Sequence, residues 1–205
     1  MNKEQERALK LLNKNCELLL KQYAKQHHLK KKVDCLWTER SGMICILVLY
    51  VSMEKDEPYL DMQTFIKPVW LDEMFWDIME MPQYKQEPLS AHVVGAFTVH
   101  GVLTAKAEHI VPAFSASELE RLISAETESF EVRLPEFTEE AYFEKVDSGA
   151  TMRHGDMMRV LNAIHREDYK RARALLTKRS LSAFSGGTED FRKQALKWVD
   201  NKQNI

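Results

Sequence analysis

Apolar residues recur at three- and four-residue steps near the start of the chain. Leu9, Leu12, Cys16, Leu19 and Tyr23 predict one amphipathic helix over residues 3–26. The pattern then becomes strand-like. A strand is expected from Val33 to Glu39, followed by the continuous apolar run Met43 to Val51. A polar turn at residues 54–58 leads into a third strand, Tyr59 to Ile66, completing an antiparallel meander. A short helix is predicted from Asp72 to Met79 with Asp72 as its N-cap, then a loop over residues 82–90. Ala91 to Val99 and Val102 to Val111 read as a hairpin turning at His100-Gly101. Trp37, Ile46, Val48 and Phe97 are the strand residues expected to be buried.

The remainder reads as helical. Ser115 or Ser117 starts a helix running to about Glu128, and a short helix follows around Ala141, Tyr142 and Phe143. From His154 onward three apolar stripes predict helices, with a break at Ser185-Gly186-Gly187. Helix, sheet and helices in that order predict an α+β fold: an antiparallel sheet of about five strands, an N-terminal helix and a C-terminal helical portion. The expected organisation is an α+β domain over residues 1–150, with residues 151–205 as a helical portion packed on it.

Composition narrows the class. The chain has 205 residues, 44% hydrophobic, with four Trp, nine Phe and ten Met, which is enough to build a core. No apolar run reaches the roughly 20 residues needed to cross a bilayer, and the N-terminus lacks a secretory pattern. The expected location is the cytoplasm, with no membrane partner. Cys16, Cys35 and Cys45 form no CxxC motif and are expected as free thiols. With a two-residue loop at Ser41-Gly42, Cys35 would face Val48 and Cys45 would face Thr38, on opposite sides of the sheet. A three-residue loop would return both thiols to one side.

The net charge of −2 is unevenly placed. Residues 1–32 hold nine Lys and Arg against three Asp and Glu, and residues 148–205 hold twelve against six. The middle of the chain is acidic. Such asymmetry suits either a binding surface or basic helices beside an acidic sheet.

Candidate chemistry is sparse. No Walker A loop, GxGxxG, GxSxG or HExxH sequence is present, and no cofactor is expected. In a hairpin closed by His100-Gly101, His92 would oppose His109, close enough to share a transition metal, but a third ligand is missing. Arg166, Lys170 and Arg173 share one face of a predicted helix and form the best footprint for nucleic acid. Trp70, Asp72, Glu73, Trp76 and Asp77 combine aromatic and acidic side chains around the helix after the third strand. Those five are the candidate partner-binding residues.

The run Lys67-Pro68-Val69-Trp70-Leu71-Asp72-Glu73-Met74-Phe75-Trp76-Asp77-Ile78, with Pro88-Leu89-Ser90 and Gly95-Ala96-Phe97-Thr98-Val99, resembles a family of bacterial α+β proteins known as a domain of unknown function. The likeness spans residues 30–115. It implies an α+β fold and, by analogy with immunity proteins, action by binding rather than catalysis. The leading expectation is therefore a non-enzymatic binding protein engaging a protein partner. A nucleic-acid-associated protein is the alternative, and a metal-dependent enzyme using His92 and His109 comes third. Oligomeric state does not follow from the pattern.

Overall fold

The first helix begins where a capping box allows it. Asn2 accepts from the backbone N–H groups of Glu4 and Gln5, and the Gln5 side chain accepts from the Asn2 N–H. A computed structural model describes residues 2–95, 97–149, 155–177 and 188–203, the last segment by backbone alone at 188–190 and 203. In chain order it contains α1 (Lys3–Gln26), β1 (Lys30–Lys32), β2 (Cys35–Arg40), β3 (Met43–Glu54), β4 (Glu57–Pro68) and α2 (Val69–Ile78). After a 3-10 turn at Pro82–Gln86 come α3 (Ser90–Val93), β5 (Val102–Ile110), α4 (Ala116–Arg133), α5 (Glu139–Asp147), α6 (Gly155–His165), α7 (Tyr169–Leu176) and α8 (Thr188–Gln203). The class is α+β, as the order of patterns requires. No described helix is long and apolar enough to cross a membrane.

The chain divides into two compact units. One comprises Met1–Ile66 and Leu103–Phe137, and the other Lys67–Val102 and Thr138–Ile205. Each is discontinuous in sequence, so neither follows a cut near residue 150.

The first unit carries the sheet, an antiparallel array in the order β1-β2-β3-β4-β5. The loop between β2 and β3 has two residues, Ser41 and Gly42, both at positive φ. That handedness matches strand twist and sets the register. Cys35 faces Val48 and Thr38 faces Cys45, so the two thiols do take opposite sides. Lys55 and Asp56 close the next hairpin in the same left-handed way. Met43 to Leu49 are buried without interruption. Among the described elements, α1 packs on β1, β2, β3 and α4, burying Leu12, Cys16, Leu20 and Tyr23. His27, just past α1, donates from Nδ1 to Glu131 of α4 at 2.5 Å.

The expected strand Ala91–Val99 does not form. Pro88 and Leu89 supply carbonyls for a single helical turn at α3. The chain then doubles back at Gly95, where a Cβ would stand 2.6 Å from the Ala91 carbonyl oxygen. Beyond that point the backbone groups a strand would offer are taken by side chains. Trp76 Nε1 donates to the Phe97 carbonyl, Asp72 accepts the Val99 N–H, and Lys67 donates to the Val99 carbonyl. Phe97, expected in the core, is 39% exposed, whereas Trp37, Ile46 and Val48 are buried. β5 pairs with β4 instead.

In the second unit α6 is the central helix, packed against α2, α5 and α7. Its hydrophobic side, including Met157, Leu161 and Ile164, is buried. Phe191 of α8 meets Phe75 of α2 with ring centroids 6.0 Å apart. The expected break at residues 185–187 lies outside the described residues.

Candidate partner-binding site

α2 starts one turn earlier than its sequence suggests. Pro68 occupies the N-cap, and Asp72 falls inside the helix rather than capping it. The consequence for the site is large. Leu71, Asp72, Phe75, Trp76 and Ile78 form the buried side of α2. Trp70, Glu73 and Asp77, at i, i+3 and i+7, form its outward edge. Trp70 and Asp77 are half-buried and Glu73 is exposed.

Asp72 and Trp76 are therefore interior groups, a correction to their expected place on a docking surface. Asp72 is the hub of a buried polar cluster. Its carboxylate accepts from Lys67 Nζ at 2.7 Å, His92 Nδ1 at 2.8 Å and the Val99 N–H at 2.7 Å. Lys67 also donates to the Val99 carbonyl at 2.8 Å. Burial works against the Asp72 charge, but Lys67, His92 and Val99 together hold its pKa below the ordinary carboxylate value. Burial pushes the Lys67 pKa down, and Asp72 opposes that fall. The cluster clamps the 97–99 segment to the start of α2. It joins a strand end, a helix and a loop through four satisfied hydrogen bonds.

His92 serves this clamp from α3, so no cross-strand pair with His109 on β5 exists. Among the described residues, no group of three or more His, Cys, Asp or Glu is placed to hold a metal ion.

On the outward edge, Trp70 anchors an aromatic stack. The His165 ring lies parallel to it, with centroids 3.8 Å apart and planes within 2°. Phe143 stacks 6.1 Å away, and Tyr142 meets Trp70 edge-on at 6.2 Å. Glu139 fixes the arrangement from α5. Its Oε1 accepts from Trp70 Nε1 at 2.5 Å and lies 3.5 Å from His165 Nε2. The Arg166 guanidinium sits 3.8 Å from the Phe143 ring centroid. A Trp, a Phe, a His and an Arg from three helices and one turn thus share one partly exposed face.

The sequence pattern pointed to Trp70 and Arg166 for different reasons, and the fold places them together. It gave no role to Glu139 or His165. The periodicity places His165 on an apolar stripe, and only its position as the last residue of α6 sets it apart.

The basic residues do not form one stripe. α6 ends at His165, and Glu167 takes a left-handed φ of +57°. Asp168 then caps α7 by accepting the Arg171 N–H. Arg166 therefore stands on a different element from Lys170 and Arg173. Arg166 and Arg171 both approach Asp147, at 3.6 and 2.8 Å, and Arg173 pairs with Asp200 at 2.6 Å. Lys170 is exposed. On α2, Asp77 is held by Lys85 at 2.6 Å.

Burial lowers the His165 pKa, Glu139 opposes that fall, and Arg166 reinforces it. An NMR titration is therefore expected to find His165 with a midpoint below the ordinary value of about 6.5. Arg166→Ala should raise that midpoint and Glu139→Gln should lower it further. Because the folded state binds the proton less readily than the unfolded chain, His165 subtracts stability as pH falls through about 6.5 toward the folded midpoint. A midpoint unmoved by either substitution would show that the stack does not control this imidazole.

The chain matches no protein-family model, no curated protein and no solved structure.

Proposed function

We propose that this chain is a non-enzymatic binding protein, immunity-like in that binding itself is its activity, and that a protein partner docks on the Trp70 face. The observation that carries this reading is the half-exposed Trp70, held flat against His165 by a shared carboxylate. Trp and Arg are the side chains that most often dominate interface energies. An aromatic already fixed in place loses little further freedom on binding, which favours affinity. Phe143, His165, Arg166 and the exposed Glu73 complete the face and provide both signs of charge at its rim. Asp72 and Trp76 support it from beneath.

The nucleic-acid alternative draws less support. Arg166, Arg171 and Arg173 each face a carboxylate, and a phosphate would have to displace it.

The test is parallel capture from native-host lysate with wild-type, Trp70→Ala and Arg166→Ala baits, followed by a direct affinity measurement. A specific protein retained by wild type should bind Trp70→Ala about 30-fold more weakly, the factor for a hot-spot loss of about 2 kcal/mol. Melting curves establish that both baits remain folded. If every captured protein binds all three baits equally, the Trp70 face is not the docking surface.

A further inference from the structure

The two edges of the sheet differ in charge. β1 consists of Lys30, Lys31 and Lys32 alone, a uniformly positive edge that repels a second copy of itself. β5 is the other edge, nine residues long, and carries both signs: Lys106 and Glu108, with side chains 42% and 44% exposed.

The backbone phase of β5 decides which groups are free. The Val111 N–H donates to the Pro58 carbonyl at 2.8 Å, so residue 111 faces β4. By antiparallel alternation, residues 105, 107 and 109 also turn their N–H and C=O groups toward β4. Residues 104, 106, 108 and 110 turn theirs outward. Thr104 agrees with this phase, since its carbonyl accepts from Arg133 Nη2, 3.4 Å away on α4. That contact closes one end of the edge. Outward backbone groups remain at Lys106, Glu108 and Ile110, and Ile110 is also 52% exposed.

We propose that this edge pairs with β5 of a second copy, antiparallel, about a two-fold axis through Ala107. An isologous pairing joins each residue to its mirror across the axis. With the axis at Ala107, Lys106 opposes Glu108 of the second copy and Glu108 opposes its Lys106. Moving the axis to residue 106 sets Lys against Lys, and moving it to residue 108 sets Glu against Glu. Those arrangements are disfavoured, because like charges directly opposite each other destabilise a ladder. The Ala107 register also satisfies the backbone phase: the outward-facing 106 meets the outward-facing 108, and each pair exchanges two N–H···O=C bonds. Only the methyl groups of Ala107 meet at the axis. Within one chain, Lys106 already contacts Glu108 and approaches Asp61 at 4.0 Å, so both charges are held at the edge before pairing. The occupant is thus a second copy of this chain, chosen by charge complementarity. The result is one continuous sheet through two molecules.

Sedimentation velocity and light scattering on the full chain at low ionic strength should show a concentration-dependent dimer. Lys106→Glu and Glu108→Lys should each weaken it at least tenfold, by placing like charges opposite. The double exchange Lys106→Glu/Glu108→Lys should restore it. Circular dichroism verifies the fold of each variant. Hydrogen exchange gives an independent readout. The amides of Lys106 and Glu108 should gain protection with rising concentration, while those of Ala105 and Ala107, which turn toward β4, should not change. A wild-type chain that stays monomeric to roughly millimolar concentration overturns the proposal. So does a dimer indifferent to the single exchanges, or a double exchange that fails to rescue. Protection of 106 and 108 only by some other protein would assign the edge to a foreign strand and refute self-pairing.

Discussion

Asp72→Ala is expected to destabilise the protein by about 3–5 kcal/mol, the cost of stranding a buried charge without its partner. Three donors lose their acceptor at once: Lys67 Nζ, His92 Nδ1 and the Val99 N–H. Lys67 is buried beside it, so water cannot replace the carboxylate at either group. Lys67→Met should also be costly, because it leaves Asp72 charged in the interior and the Val99 carbonyl without its donor. The double variant Lys67→Met/Asp72→Ala should cost less than the two single changes added together, with a coupling of about 0.5–3 kcal/mol. Urea denaturation of the four proteins measures this. Additive losses would mean that Lys67 and Asp72 do not act as a unit. The pH dependence has a fixed sign. Asp72 titrates below its unfolded value of about 3.9, so its contribution is complete above that value and is lost as pH falls through the folded pKa.

Deleting residues 2–26 should prevent the first unit from folding. α1 buries Leu12, Cys16, Leu20 and Tyr23. At roughly 1.5–3 kcal/mol for each of the three large side chains, Leu12, Leu20 and Tyr23, their loss removes about 4.5–9 kcal/mol, comparable to the whole stability of about 5–15 kcal/mol. The link between His27 and Glu131 would go with the disrupted packing. The truncated protein is expected to bind a hydrophobic dye, to aggregate and to lose its cooperative melt. A monomer that melts at the full-length temperature would make α1 an appendage and leave the cover of the sheet to other elements.

These two regions also mark how far the sequence could be read. α1 and the β2–β3 hairpin were legible because both depend on local rules, but the register stayed open between a two- and a three-residue loop until the fold decided it. A helix needs only its own periodicity and a cap, and a two-residue turn determines which residues face each other. Even so, the buried stripe of α1 includes Leu20 and Ala24, whereas Leu19 is half-buried. The 91–99 segment was not legible. Its alternation suits a strand, but its backbone partners are side chains of Lys67, Asp72 and Trp76. Local pattern carries no trace of bonds made across such distances. The same reason hid Asp72. A carboxylate at a helix start ordinarily caps or faces water, and nothing short of the fold shows a lysine arriving from the preceding strand to bury it. In the candidate site, aromatic content marked Trp70 and positive charge marked Arg166. Their meeting depends on α2, α5 and α6 converging, which only tertiary packing decides.

The way the chain threads its two units sets an order in which they can be completed. Synthesis from the N-terminus delivers α1 and β1–β4 first, but the strand that closes their sheet emerges only after residues 67–102. Those residues form α2 and the Asp72 clamp, yet the helices they pack against come last of all. Each unit must therefore hold a half-built hydrophobic surface while the chain supplies the other's first part, the stage at which exposed strands are most prone to misassociate. The unpaired edge of β4 is in that state until β5 arrives. For the same reason no single cut in the chain releases either unit intact, because each is made of two stretches separated by part of the other.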